Sequence, residues 1–245
     1  MENINELNIA NLTALWKKVG VLVGSYNQVN ACEISVVNHS QWPNKIWVKE
    51  GLNAKLIDSL QEQMVSSEID LVFPHWETNA DTISDLASER FTQKSEQTGM
   101  SLELDQSFEL SNLLTFNRVS NIEQAKLWSS VYPRCFGYVI SEEILANTND
   151  EIAYYLFYSD DDIVGTAIYF PTEQVVGIHS VGIIPEMRKK GFAEEIMKIL
   201  LNKALSEGFP YATLQASSLG KGIYKRLGFA EDFTIKNYGL TQTSH

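Results

Sequence analysis

Only two cysteines, Cys32 and Cys135, occur in the 245 residues. They stand far apart with no C-x-x-C spacing, which argues against a disulfide scaffold and against a zinc site. Both are read as reduced thiols. No apolar run is long enough to span a bilayer; residues 196–201, broken by Lys198, are typical of the chain. The opening MENINELNIA is polar and acidic, without the basic and apolar regions of a secretory signal. The expectation is therefore a cytoplasmic protein with no membrane partner. Cations are scarce too: 19 Lys and Arg stand against 31 Asp and Glu, a net charge of −12. Such a surface repels phosphate backbones, so nucleic acid is not expected as a partner. A cluster of cations in this chain therefore marks where an anion sits.

What is present fits a globular fold, with 44% hydrophobic and 20% charged residues. The polar patch Asp105–Ser107, followed by Ser111 and Asn112, suggests two units, residues 1–110 and 111–245. In the first unit, apolar spacing predicts a helix over 6–18, a strand over 45–49 and a helix over 54–64. A strand over 69–73 ended by Pro74, a helix over 82–92 and a strand over 101–104 complete it. The Phe73-Pro-His-Trp76 run reads as a strand end with a buried indole. This half is a smaller mixed α/β domain without a chemical signature.

The second unit reads β-α-α-β-β-β-α-β-α-β. Asn121 with Gln124 three residues later is a helix-start signature. Strands over 152–158 and 163–170 flank the turn Ser159-Asp160-Asp161-Asp162, a hairpin signal. A strand over 175–184 closed by Pro185 is followed by a helix of about sixteen residues, which stops at Gly208 and Pro210. Further strands fall at 211–215 and 233–238 around a short helix at 221–227. The fold class is α/β, an α+β mixed sheet with antiparallel hairpins and one parallel pair.

Between strand and long helix lies Arg188-Lys-Lys-Gly191-Phe-Ala193, three consecutive cations at the start of a helix in an acidic chain. Unpaired first-turn N–H groups and the macrodipole suit a phosphate there, and Gly191 allows close approach. The spacing fits neither G-x-G-x-x-G nor a Walker A loop. It does match R/Q-x-x-G-x-G/A, and Leu214 to Phe229 matches a second block ending in Y-x-x-x-G-F, from Tyr224 to Phe229. On both blocks the chain resembles the GNAT superfamily of acyl-CoA-dependent N-acyltransferases over about residues 113–241.

The resemblance implies acetyl-CoA as co-substrate and acetyl transfer to a primary amine, of a small molecule or a peptide, in a ternary complex. It implies that the strands over 175–184 and 211–215 splay and hold the pantetheine arm on the main chain of Val181, Gly182 and Ile183. The pyrophosphate is expected on Lys189, Lys190, Gly191, Phe192 and Ala193, with Arg188 nearby. Tyr224 is implied as the proton donor to the leaving thiolate. Ser217 and Gly220 depart from the family's Asn and Ala, and Ser217 is expected to keep a cofactor contact. His179, on the strand before the loop, is a candidate base, since an imidazole suits proton removal near pH 7. Some two-domain relatives carry a degenerate first copy of the fold, which the first half permits. No second R-x-x-G-x-A occurs there, so one cofactor site is expected. The rival reading is a non-catalytic acyl-CoA sensor or partner-binding module.

Overall fold

A computed structural model describes residues 3–49, 51–77 and 90–241. The chain opens with helix α1 (Ile4–Val23), capped by the Asn3 side chain. Three strands follow, β1 (Ser25–Val29), β2 (Cys32–Val36) and β3 (Lys45–Val48), forming a small antiparallel sheet in that order. Then come α2 (Ala54–Ser66), β4 (Phe73–Glu77) and the long β5 (Phe91–Glu103). The second half supplies β6 (Thr115–Arg118), α3 (Ile122–Phe136), α4 (Glu142–Thr148), β7 (Ala153–Ser159), β8 (Asp162–Pro171) and β9 (Val175–Ile183). It ends with α5 (Phe192–Ser206), β10 (Tyr211–Ala216), α6 (Lys221–Arg226) and β11 (Ala230–Leu240). This is the mixed α/β class and the second-half order that the sequence predicts.

Local signals explain several boundaries. The Asn121 side chain accepts from Gln124 N at 3.0 Å while Gln124 Oε1 accepts from Ser120 N at 2.8 Å, two reciprocal caps at the start of α3. Asp160 takes a left-handed φ of 52°, which closes the β7–β8 hairpin between Ser159 and Asp162. Gly137, at φ 80°, ends α3 through its N–H to Pro133 O.

The first half departs from its expected reading in three places. The strand expected over 69–73 begins at Phe73 and runs through Pro74, which pairs with Asn237. β4 is an edge strand, where a residue without an N–H costs no ladder bond on the open side. Of the helix expected over 82–92, residues 82–89 lie outside the described residues, and Phe91 and Thr92 belong to β5. The β1–β2 hairpin was not expected; its turn, Asn30 and Ala31, holds φ values of 49° and 67° without a glycine.

The main sheet has eight strands in the order β4-β11-β5-β10-β9-β8-β7-β6, and only β9 and β10 run parallel. β5 lies between β10 and β11, so strands from either side of residue 110 share one sheet. α5 covers one face, where Ile196, Met197, Leu200 and Leu201 pack on Val176, Ile178 and Leu214. α1, α3 and α4 cover the other, with Leu15, Trp128, Tyr132 and Ile144 against Tyr154 and Ile168. The aromatic strand Tyr154–Tyr158 thus divides its rings between two cores, as ordinary sheet packing does.

Trp128 is fully buried, stacks on Tyr132 at 4.7 Å and donates to Tyr155 O at 3.1 Å. Trp128→Ala is expected to lower stability by about 3–5 kcal/mol through cavity formation. Urea unfolding monitored by circular dichroism checks this; a loss below about 1 kcal/mol would contradict the packing described.

Candidate functional site

The parallel ladder between β9 and β10 is short. It pairs Tyr211 with Val175, Ala212 with Val176 and Thr213 with Gly177, and goes no further. The cause lies in β9. Thr166 faces Gly182 but Ile168 faces His179, so Ser180 and Val181 together oppose Ala167. Ser180 sits at φ 54°, and this bulge bends β9 away from its neighbour. Gly182 and Ile183 are held to β8 on one side, and neither they nor the bulged Val181 pair with β10 on the other. A Cβ at Gly182 would lie 2.4 Å from the Phe136 ring and 2.7 Å from Cys135, so glycine is what lets the end of α3 rest on this strand.

The gap leads to the loop before α5. A 3-10 turn, Pro185–Met187, ends the strand. Arg188 folds back: Nε donates to Ile183 O at 3.1 Å and Nη2 to Cys135 O at 3.3 Å. Lys189 and Gly191 take φ values of 64° and 82°. Gly191 is the N-cap of α5 and brings no side-chain cap. Among the described residues, no backbone N–H from Lys189 to Ala193 meets a backbone carbonyl. Unpaired amides at the start of a fifteen-residue helix, with two exposed lysines beside them, form a cradle for an anion. Further along α5, buried Glu195 accepts from Ser111 N and Asn112 N at 2.9 and 3.0 Å, fastening the segment before β6 to the helix.

Across the gap, β10 runs into α6. Ser217 accepts from Gly220 N on its side chain at 3.3 Å and from Lys221 N on its carbonyl at 3.0 Å, so this exposed residue opens α6. A Cβ at Gly220 would lie 3.3 Å from the Tyr224 ring and 3.5 Å from Ser217 Oγ. Tyr224 packs edge-on to Phe229 at 6.0 Å, on the α5 side of the sheet. Burial pushes its hydroxyl up to about 12, so it stays protonated at ordinary pH.

His179 lies on the opposite face, beside α1, apart from Tyr224. Its Nδ1 faces Gln215 Oε1 at 2.9 Å and its Nε2 faces Asn11 Oδ1 at 3.1 Å. The amide orientations are fixed from both ends. Asn11 Nδ2 donates to Phe170 O, and Gln215 Nε2 donates to Asn8 Oδ1, whose Nδ2 donates to Met100 O. Carbonyls only accept, so both ring nitrogens confront oxygens. A neutral ring satisfies one of them. Burial holds the imidazole at about 4, against the hydrogen bond to Gln215 that favours its charged form. Both nitrogens of the expected base are thus engaged with side-chain amides, at 2.9 and 3.1 Å.

The expected cofactor residues Val181, Gly182, Ile183, Arg188, Lys189, Lys190, Gly191, Phe192 and Ala193 are brought together along the gap and its mouth. Ser217 directly follows β10, and Tyr224 lies on α6 after it. Two carboxylates of the second half are held in pairs with the first: Glu143 meets His39 Nε2 at 2.6 Å, and Glu151 pairs with Lys18. Sequence reasoning missed Asn8, Asn11 and Gln215. The available signal was two asparagines on the apolar stripe of α1, both fully buried beside Leu12 and Leu15.

Residues 120–229 match the acetyltransferase (GNAT) family model. No curated protein matches the chain. A GCN5-related N-acetyltransferase from Kribbella flavida shares the fold at a TM-score of 0.72 and 16% identity, covering 97% of each chain. A GCN5-related N-acetyltransferase from Sphaerobacter thermophilus aligns at 0.61 and 18% identity over 85% of this chain and 76% of its own. A tandem GNAT protein from the clavulanic acid biosynthesis pathway aligns at 0.58 and 9% identity, covering 87% and 79%.

Proposed function

We propose, from the match of residues 120–229 to the acetyltransferase (GNAT) family model, that this protein transfers acetyl from acetyl-CoA to a primary amine within a ternary complex. The observation that carries the reading is a conjunction: the β9–β10 ladder stops at Thr213 and Gly177, and the gap opens on five unpaired amides at Lys189–Ala193. An extended polar arm ending in a pyrophosphate has the chemistry to use both.

In this reading the main chain of Val181, Gly182 and Ile183 pairs with the pantetheine amides. A strand N–H in the gap steadies the oxyanion as the amine nitrogen attacks the thioester carbon. The carbon–sulfur bond breaks and the thiolate leaves toward Tyr224. A phenol at about 12 lies well above a thiol at roughly 8.5, and full proton transfer across that difference costs about 5 kcal/mol. Tyr224 therefore acts by donating a hydrogen bond to the departing sulfur, and solvent takes the amine's proton in place of His179.

We further propose the division into residues 1–110 and 111–245, with the first half a degenerate copy of the second. β3, α2 and the segment before β4 form a strand-helix-strand unit with a parallel bridge, Lys45 to Val72, as β9, α5 and β10 do. There the Asn53 side chain accepts from Leu56 N at 3.1 Å and closes the helix start that α5 leaves open. One cofactor site results.

The test is incubation with acetyl-CoA and a panel of primary amines, following thiol release and acceptor mass together. Amine-dependent release with one acetyl added to the acceptor is expected. Acetyl-CoA binding without release for any amine would leave a binding module in place of an enzyme.

A further inference from the structure

Two residues past the last paired positions of the splayed strands, Gln215 and His179 join across the gap by their side chains. Helix α1 braces this bridge at both ends. Asn8 ties Gln215 to Met100 O on β5, with bonds of 2.7 and 3.1 Å. Asn11 ties His179 to β8 and its end, donating to Phe170 O at 2.9 Å and Thr172 Oγ1 at 3.0 Å. One chain of side chains thus spans β5, β10, β9 and β8, neighbours in the sheet, at the place where the backbone ladder between the middle two is missing, with the neutral His179 ring donating to one of its two amide oxygens and packed against the other. Asn8 and Asn11 are completely buried, and His179 is 9% exposed. Gly177 is part of the fit, because a Cβ there would lie 1.9 Å from Asn11 Oδ1 and 2.2 Å from His179 Nε2.

A ladder bond holds two strands about 4.8 Å apart. A glutamine and a histidine meeting end to end hold them wider, and their own partners fix how wide. We propose that this clasp sets the width of the β9–β10 gap, so that α1 of the first half positions the acyl-CoA arm bound by the second. His179 is then a positioning residue. The inference rests on the proposed acyl-CoA site.

The experiment uses the full chain with Asn11→Ala, which removes the brace from α1 and leaves His179 in place. Gln215→Met cuts the bridge itself together with its tie to Asn8 and leaves Asn11 in place, and thermal unfolding of each variant verifies that it folds. The clasp predicts that acetyl-CoA Kd by calorimetry, and KM with it, rise about ten-fold in either variant, the effect of roughly one buried hydrogen bond. It predicts kcat within about three-fold and a pH profile of kcat/KM that keeps its acidic limb in His179→Ala. Stability effects of Asn11→Ala and Gln215→Met should be non-additive, because the two share the His179 ring. Unchanged Kd in both variants, or a His179→Ala enzyme that keeps its Kd and loses the acidic limb, would overturn the clasp. If the unaltered protein bound no acetyl-CoA, the functional reading would fall. The stability cycle would still report on the clasp, and additive effects there would refute it.

Discussion

Replacing Lys189 and Lys190 together by glutamate is expected to weaken acetyl-CoA binding about 100-fold. Both side chains are exposed and neither joins an ion pair among the described residues, so little folding energy depends on them. Lys190 Nζ lies 3.4 Å from Met187 Sδ. An exposed charge pair contributes up to about 1 kcal/mol, and reversing two signs both removes attraction and adds repulsion, roughly 3 kcal/mol in all. Arg188 is left alone in this test because its guanidinium braces Ile183 O and Cys135 O, so its loss would alter the loop as well as its charge. Calorimetry at low and moderate salt checks the expectation: affinity in the unaltered protein should fall with salt, and the variant should have lost most of that dependence. Equal affinity in both proteins would remove the anion from this loop.

Tyr224→Phe is expected to lower kcat on the order of 100-fold while leaving acetyl-CoA Kd within about two-fold. The ring keeps its edge contact with Phe229, so stability should hardly move. The hydroxyl, pushed up to about 12 by burial, carries its proton throughout the working range. Its deletion therefore removes a hydrogen-bond donor and should leave the shape of the pH profile unchanged. Stopped assays of thiol release, paired with calorimetry, separate the two quantities. Turnover equal to that of the unaltered protein would deny the departing sulfur this partner, and a matching fall in affinity would place the hydroxyl in cofactor binding.

Much of the second half is legible in sequence because its boundaries are set locally. The Asn121 cap, the acidic β7–β8 turn and the Gly208 stop each act within a few residues. The cation loop stands out because the rest of the chain is acidic. Placement of β5 between β10 and β11 is not legible, since its partners, from Thr98 against Ala216 to Phe91 against Leu240, lie more than a hundred residues away. Pro74 reads as a strand end until the sheet makes β4 an edge. His179 shows the same limit at the site: its position on β9 suggests a base, but what decides its role is Asn11, contributed by a helix 168 residues earlier in the chain.

The most direct measurement is thermal unfolding of the full chain with acetyl-CoA, CoA or ATP added. At about a hundred times Kd, ligand binding to the folded state adds roughly 2.7 kcal/mol, a rise of several degrees in Tm for a protein of this size. The account predicts that rise for acetyl-CoA and CoA and little for ATP. No rise with either CoA species at saturating concentration would contradict it, because the β9–β10 gap and the unpaired amides of Lys189–Ala193 would then hold no acyl carrier.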